Sequence, residues 1–224
     1  MLALRFVFTA ALLFGHVFAQ SVSDDFEATL ERRAGNGHAD AAYAHNHAAE
    51  AHRAAQIANN QAAQAHNGAG NHVVAQDFTT KANMHQVAAH AHTGIANAHA
   101  GNAAPGAVDP ATGPAIASAD RSAQSAMLSV DHAAASVAHL KAAQAHENSA
   151  LAHATAAVLV GPHHQPQANA DAATAAQHRA IAAQHAPSSP FKPHDPVQSH
   201  ANADASRQQA AGNLAIAHHA MGIA

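Results

Sequence analysis

Four histidines, His132, His139, His146 and His153, stand seven residues apart in DHAAASVAHLKAAQAHENSALAHATAAVL, residues 131–159. The last three each follow a small residue (Ala138, Ala145, Ala152), and another small residue (Ala135, Ala142, Ser149) lies four positions before each. Small residues thus recur at alternating gaps of three and four. On a helix that spacing draws one continuous seam for packing against another helix. The imidazoles are expected on the flank of the seam. The same frame runs from His38 to Ala65, from His85 to His99, and again near the C-terminus. A chain patterned in this way is constrained to fold as packed helices.

Composition sets how those helices can pack. Of the 224 residues 68 are alanine, which dominates the 48% hydrophobic total. Alanine is the best helix former because it loses no side-chain entropy. It is a poor core residue, since burying a methyl gains only about 0.8 kcal/mol against roughly 1.5–3 for Leu or Phe. Such a core needs close, long helices and leaves a marginal stability. With 10 Lys+Arg against 14 Asp+Glu the chain has no basic footprint for nucleic acid at neutral pH. Protonating all 23 histidines would carry the net charge from -4 to +19, a reversal centred near pH ~6.5. Without cysteine, disulfide scaffolds and thiol chemistry are excluded.

Residues 1–19, MLALRFVFTAALLFGHVFA, place Arg5 before an apolar run, with Val17 and Ala19 at the −3 and −1 positions of a cleavage site. This is the pattern of a secretory signal peptide, and its apolar part is too short to span a membrane. Residues 20–33 are acidic (Asp24, Asp25, Glu27, Glu31) and end in Arg32-Arg33. The arrangement resembles the pre-pro segments of secreted precursors, including fungal ones cut by kexin-type proteases. That resemblance implies a mature chain starting at Ala34; an amphipathic helix turn ending in arginines is the competing reading.

From residue 34 onward the sequence predicts an all-α, Ala-rich antiparallel bundle of about five main helices. The expected spans are 36–67, 79–100, 115–160, 168–186 and 197–222. The breaks are set by Asn67-Gly68-Ala69-Gly70-Asn71 and by proline clusters at 105–114, 162–166 and 187–196. Thr79 or Thr80 is the expected cap of the second helix. The fourth helix fits the frame least well, with Thr174, Gln177 and Gln184 at its expected seam.

Abundant imidazole raises the question of metal. No two histidines are three or four residues apart, the spacing that chelates one ion from a single helix. A gap of seven separates imidazoles by about 10.5 Å along the axis, too far to share an ion with ~2.0–2.1 Å bonds. Three small groups are candidates for weak Zn²⁺ or Cu²⁺ binding: His45 with His47 and Glu50, His163 with His164, and His200 with Asp204. For each, a solvated surface is the plainer account. The heptad stripe His132, His139, His146 and His153 is either a polar flank of a duplicated repeat or a pH-sensitive charge switch, sharpest where stripes on packed helices face each other.

Enzyme signatures are missing: His146-Glu147 opens an HExxH pattern, but Ala150 occupies the second histidine position. No cofactor is required by any motif. After processing the aromatics would be Tyr43, Phe78 and Phe191, which offer no stacking platform for single strands. Two function classes follow. One is a secreted, extracellular, non-enzymatic interaction protein, for example an effector or colonisation factor, with a protein or cell-surface partner and helix-mediated self-association. The other is an extracellular His-rich protein that holds Zn or Cu weakly at several sites for sequestration or surface coating.

Overall fold

A computed structural model describes residues 37–102 and 109–223. The expected signal peptide and propeptide, with Ala19, Arg32 and Arg33, lie outside the described residues. The described chain is all-helical. It contains α1 (Gly37–Gly68), α2 (His72–Gly101), α3 (Thr112–Leu159), a 3-10 turn (Pro162–His164), α4 (Gln165–Gln184) and α5 (Pro196–Ala220). No strand occurs among the described residues.

Helix ends follow the local chemistry. Gly70, at φ 77°, closes α1 in a left-handed cap, and the Asn71 amide donates to the His66 carbonyl at 2.9 Å. The chain re-enters a helix at once, so α2 starts at His72 rather than at Thr79. Thr79 and Thr80 are interior helical residues, not caps. Their hydroxyls donate back to the Ala75 and Gln76 carbonyls, which frees them from capping duty. Gly161, at φ 152° and ψ 156°, turns the chain out of α3 in a conformation open to glycine alone. Prolines occupy first turns: Pro166 in α4, and Pro196 in α5 behind Asp195, whose carboxylate accepts from the Gln198 amide at 2.8 Å.

The described residues divide into two compact units, those within 37–50 and 89–127 and those within 51–88 and 128–223. In the described part of the first unit, Ala41, Ala44 and Ala48 of α1, Ala89 and Ala96 of α2, and Ala119, Ala123 and Ala126 of α3 are buried. In the second unit Phe78, the largest fully buried side chain among the described residues, packs with Ala62, Ala63, Ala133 and Ala186. A second cluster there joins Ala138 and Ala142 of α3 to Ala203 of α5. The face that α4 buries is Ala168, Asp171, Ala175, His178 and Ala182. That corrects the frame through Thr174, Gln177 and Gln184: Gln177 and Gln184 are exposed and Thr174 is half-buried, while the alanines at 168, 175 and 182 form the seam with Asp171 and His178 between them.

The interior of each unit is therefore unusual. Larger aliphatic residues lie outside, with Val73 81%, Leu151 70% and Val158 85% exposed, while the buried set combines alanine with histidine and serine. Because alanine methyls supply little transfer energy, the polar side chains between them carry much of the specificity.

Candidate functional site

The heptad that places small residues on one helix face also places an imidazole at every second turn. Two such helices running in opposite directions bring those imidazoles opposite each other, and both units show the result. In the first unit the Nδ1 atoms of His38 and His99 are 2.9 Å apart, and those of His45 and His92 are 2.8 Å apart. In the second, Nδ1–Nδ1 pairs join His52 to His85 at 2.8 Å, His132 to His185 at 3.0 Å, His139 to His178 at 2.7 Å and His153 to His164 at 3.1 Å. Numbers rise by seven on one helix as they fall by seven on the other, the mark of antiparallel neighbours.

Burial decides what these pairs are. His139, His146 and His153 are 2–3% exposed, and His132 is half-buried. The stripe expected on the flank of the seam lies inside it. An imidazole is too large to be left at the rim when both facing seams are methyl-sized, so the rings interleave between alanine layers. In each pair one Nδ1 donates a proton and the other accepts, so the two rings hold opposite tautomers.

Serines at the same period satisfy the outer nitrogens of seven rings, while the Nε2 atoms of His153 and His164 are buried without a partner. In the first unit His92 Nε2 meets Ser122 Oγ at 2.9 Å. In the second, His85 Nε2 meets Ser129 at 3.0 Å and His66 Nε2 meets Ser136 at 2.8 Å. Ser199 bridges His139 and His185, both at 2.9 Å, and Ser206 bridges His146 at 3.0 Å and His178 at 2.7 Å. Two positions vary the theme. Phe78 takes the histidine position opposite Asn59, the next step after His52–His85, and stacks on His66 one heptad along with ring centroids 5.5 Å apart. Asp171 replaces the partner of His146, with Nδ1 2.8 Å from Oδ1.

Asp171 is 2% exposed and receives three further donors: Ser149 Oγ at 2.7 Å, Gln167 Nε2 at 3.2 Å and Asn213 Nδ2 at 3.1 Å. Burial pushes its carboxyl up, and hydrogen bonds from Ser149, His146, Gln167 and Asn213 outweigh that and hold it below the usual range. With donors on both oxygens it is ionised.

The imidazoles move the other way. Burial drives His66, His85 and His139 down to about 4, and His185 to about 3. After burial, repulsion by charge on neighbouring groups adds: Lys81 and His52 for His85, His178 and His200 for His139, and His132, His139 and Lys192 for His185. Burial likewise lowers His45, His92, His132 and His178. At these positions the neutral ring is favoured.

The small constellations fare differently. His45 is committed to His92, not to His47, which is half-buried, or to Glu50, which is exposed. His164 is buried against His153, while His163 is exposed with its ring 4.3 Å from that of His164. His200 Nε2 does lie 3.8 Å from Asp204 Oδ2, and Asp204 also pairs with Arg207 at 3.2 Å. Among the described residues no three His, Cys, Asp or Glu side chains gather into a group that could hold a metal ion.

The partners His85, His92, His99, His178 and His185 and the bridging serines were not singled out from the sequence. The signal was present in the matched period of seven on separate segments, including Ser122, Ser129 and Ser136, and Ser199 and Ser206. None of the described helices is long and apolar enough to cross a membrane. Comparison with protein-family models, with curated proteins and with solved structures finds no match for this chain.

Proposed function

We propose that this chain is a secreted, non-enzymatic interaction protein whose Ala-rich antiparallel helical bundle is closed at neutral pH and opens on acidification. One observation carries the reading: histidines are paired with each other in the interior, where burial disfavours the charged form of His45, His85, His92, His132, His139, His178 and His185. A pair can hold one proton between its Nδ1 atoms, and protonating both rings sets two N–H groups and two charges against each other. Alanine contacts are too weak to hold the helices against that repulsion. The exposed aliphatic side chains of α2 and α3 supply contact surface for a protein or cell-surface partner. Secretion rests on the signal-peptide pattern of residues 1–19 and the Arg32-Arg33 pair.

Limited proteolysis of the mature protein at pH 7.5 and at pH 5, with a protease active at both, tests the opening. Helix-interior cuts should be slow at pH 7.5 and at least tenfold faster at pH 5. Equal cutting at the two values would remove the switch. N-terminal sequencing of protein from culture medium tests the secretory part, with Ala34 as the expected start. Gln20 would leave secretion without a propeptide, and an intact Met1 would remove both.

A further inference from the structure

Seven hydrogen bonds in the second unit join end to end. From His132 the chain passes by Nδ1 to His185, by Nε2 to Ser199, and on to His139 Nε2. It continues by Nδ1 to His178, by Nε2 to Ser206, and on to His146 Nε2. It ends where His146 Nδ1 meets Asp171. Every link is between 2.7 and 3.0 Å. We propose that this chain is a proton relay of fixed polarity, taking up a solvent proton at His132 and storing it on the buried His146–Asp171 pair.

The polarity follows from donor and acceptor counting. Asp171 is an acceptor at both oxygens, so His146 donates from Nδ1. With His146 neutral, its Nε2 accepts from the Ser206 hydroxyl, which must accept from His178 Nε2–H. His178 Nδ1 then accepts from His139 Nδ1–H, and His139 Nε2 accepts from Ser199. Ser199 accepts from His185 Nε2–H, and His185 Nδ1 accepts from His132 Nδ1–H. The unloaded state thus has Nδ1–H on His132, His139 and His146, and Nε2–H on His178 and His185.

A proton arriving at His132 Nε2 lets each link hand its own proton forward. His132 gives its Nδ1 proton to His185 Nδ1, and His185 gives its Nε2 proton to Ser199, whose hydroxyl proton passes to His139 Nε2. His139 gives its Nδ1 proton to His178, and His178 gives its Nε2 proton to Ser206, whose hydroxyl proton passes to His146 Nε2. One proton has entered and one charge has appeared, the His146 imidazolium, facing the Asp171 carboxylate. All four imidazoles upstream have exchanged tautomer. Desolvating a charge midway is avoided because the positive charge need not rest between the half-buried end and its counter-ion.

The groups that face the relay favour this direction. Lys192 lies beside His132 and His185 and disfavours a resting charge at that end. His200 on α5 and His178 on α4 do the same for His139, and His185, the C-cap of α4, stacks on it. His146 faces the one carboxylate in the set, with His178 stacked 5.8 Å away.

Two-bond ¹H–¹⁵N correlation of the histidine rings in ¹⁵N-labelled protein reads each tautomer directly. At pH 7.5, His139 should be the Nδ1–H form and His178 the Nε2–H form. On lowering the pH within the range where circular dichroism shows the protein folded, both should exchange together with conversion of His146 to imidazolium. Finding His139 and His178 in the same tautomer, or exchanging at a pH unrelated to His146, overturns the relay. Asp171→Asn supplies a side chain that can either donate or accept, and should leave His139 and His178 as tautomer mixtures. An unchanged tautomer set in D171N shows that Asp171 does not direct the chain. These readouts are independent of whether the bundle opens in acid.

Discussion

Histidine is seldom a core residue, and here its burial rests on complete hydrogen bonding at most positions. Removing one bridge exposes that dependence. Ser206→Ala strips the partner from both His146 Nε2 and His178 Nε2. Leaving buried nitrogens unsatisfied costs about 1–3 kcal/mol, readable as a lower urea midpoint at pH 7.5 with an unchanged slope. Phe78→Ala should cost more, about 3–5 kcal/mol, because no other side chain of its size is sealed among those alanines. At this scale the sequence was half legible. The period of seven identified His132, His139, His146 and His153 as a set. It left them on the flank because one helix cannot show what faces it, and Asp171 was overlooked because its helix carried the least regular pattern.

At the scale of the helix, extents were readable from alanine, glycine and proline, and the start of α2 was not. Thr79 resembled a cap, yet the turn at Gly70 and Asn71 had already restarted the helix. Packing between helices depends on alanine where they approach. Ala203 of α5 is fully buried against Ala138 and Ala142 of α3. Ala203→Leu forces three extra carbons into that contact and should destabilise by about 1–3 kcal/mol despite the greater hydrophobicity. Leu151→Ala, at a 70% exposed position, should stay within about 0.5 kcal/mol. Should A203L instead stabilise the protein, α3 and α5 would not be in close contact. At the start of α5, Asp195→Ala removes the cap on Gln198 and should cost about 1 kcal/mol in a denaturant series.

For the whole molecule, the histidine count suggests metal binding and the geometry argues against strong sites. The Nδ1 atoms that would coordinate an ion are engaged with each other at 2.7–3.1 Å. Isothermal titration with Zn²⁺ at pH 7.5 should therefore give shallow, multi-site heats. One stoichiometric nanomolar site would show that the pairs open for metal and would restore the sequestration reading.

Protons are the ligand that the interior is set to answer. The buried histidines have folded values of about 3–4 at His66, His85, His139 and His185, below the ~6.5 of an unfolded chain. Between those values the unfolded chain binds more protons, so their contribution is complete above about pH 6.5 and drains away as the pH falls towards 4 and then 3. Carboxylates act oppositely in kind but not in direction: Asp171, depressed by its donors, also withdraws stability as acid protonates it. The most direct measurement is thermal unfolding by far-UV circular dichroism at pH 7.5, 6 and 5 in matched salt. The paired-histidine interior predicts a melting temperature that falls at each step, by on the order of 10 °C in all. Melting temperatures that coincide, or that rise towards pH 5, would contradict it.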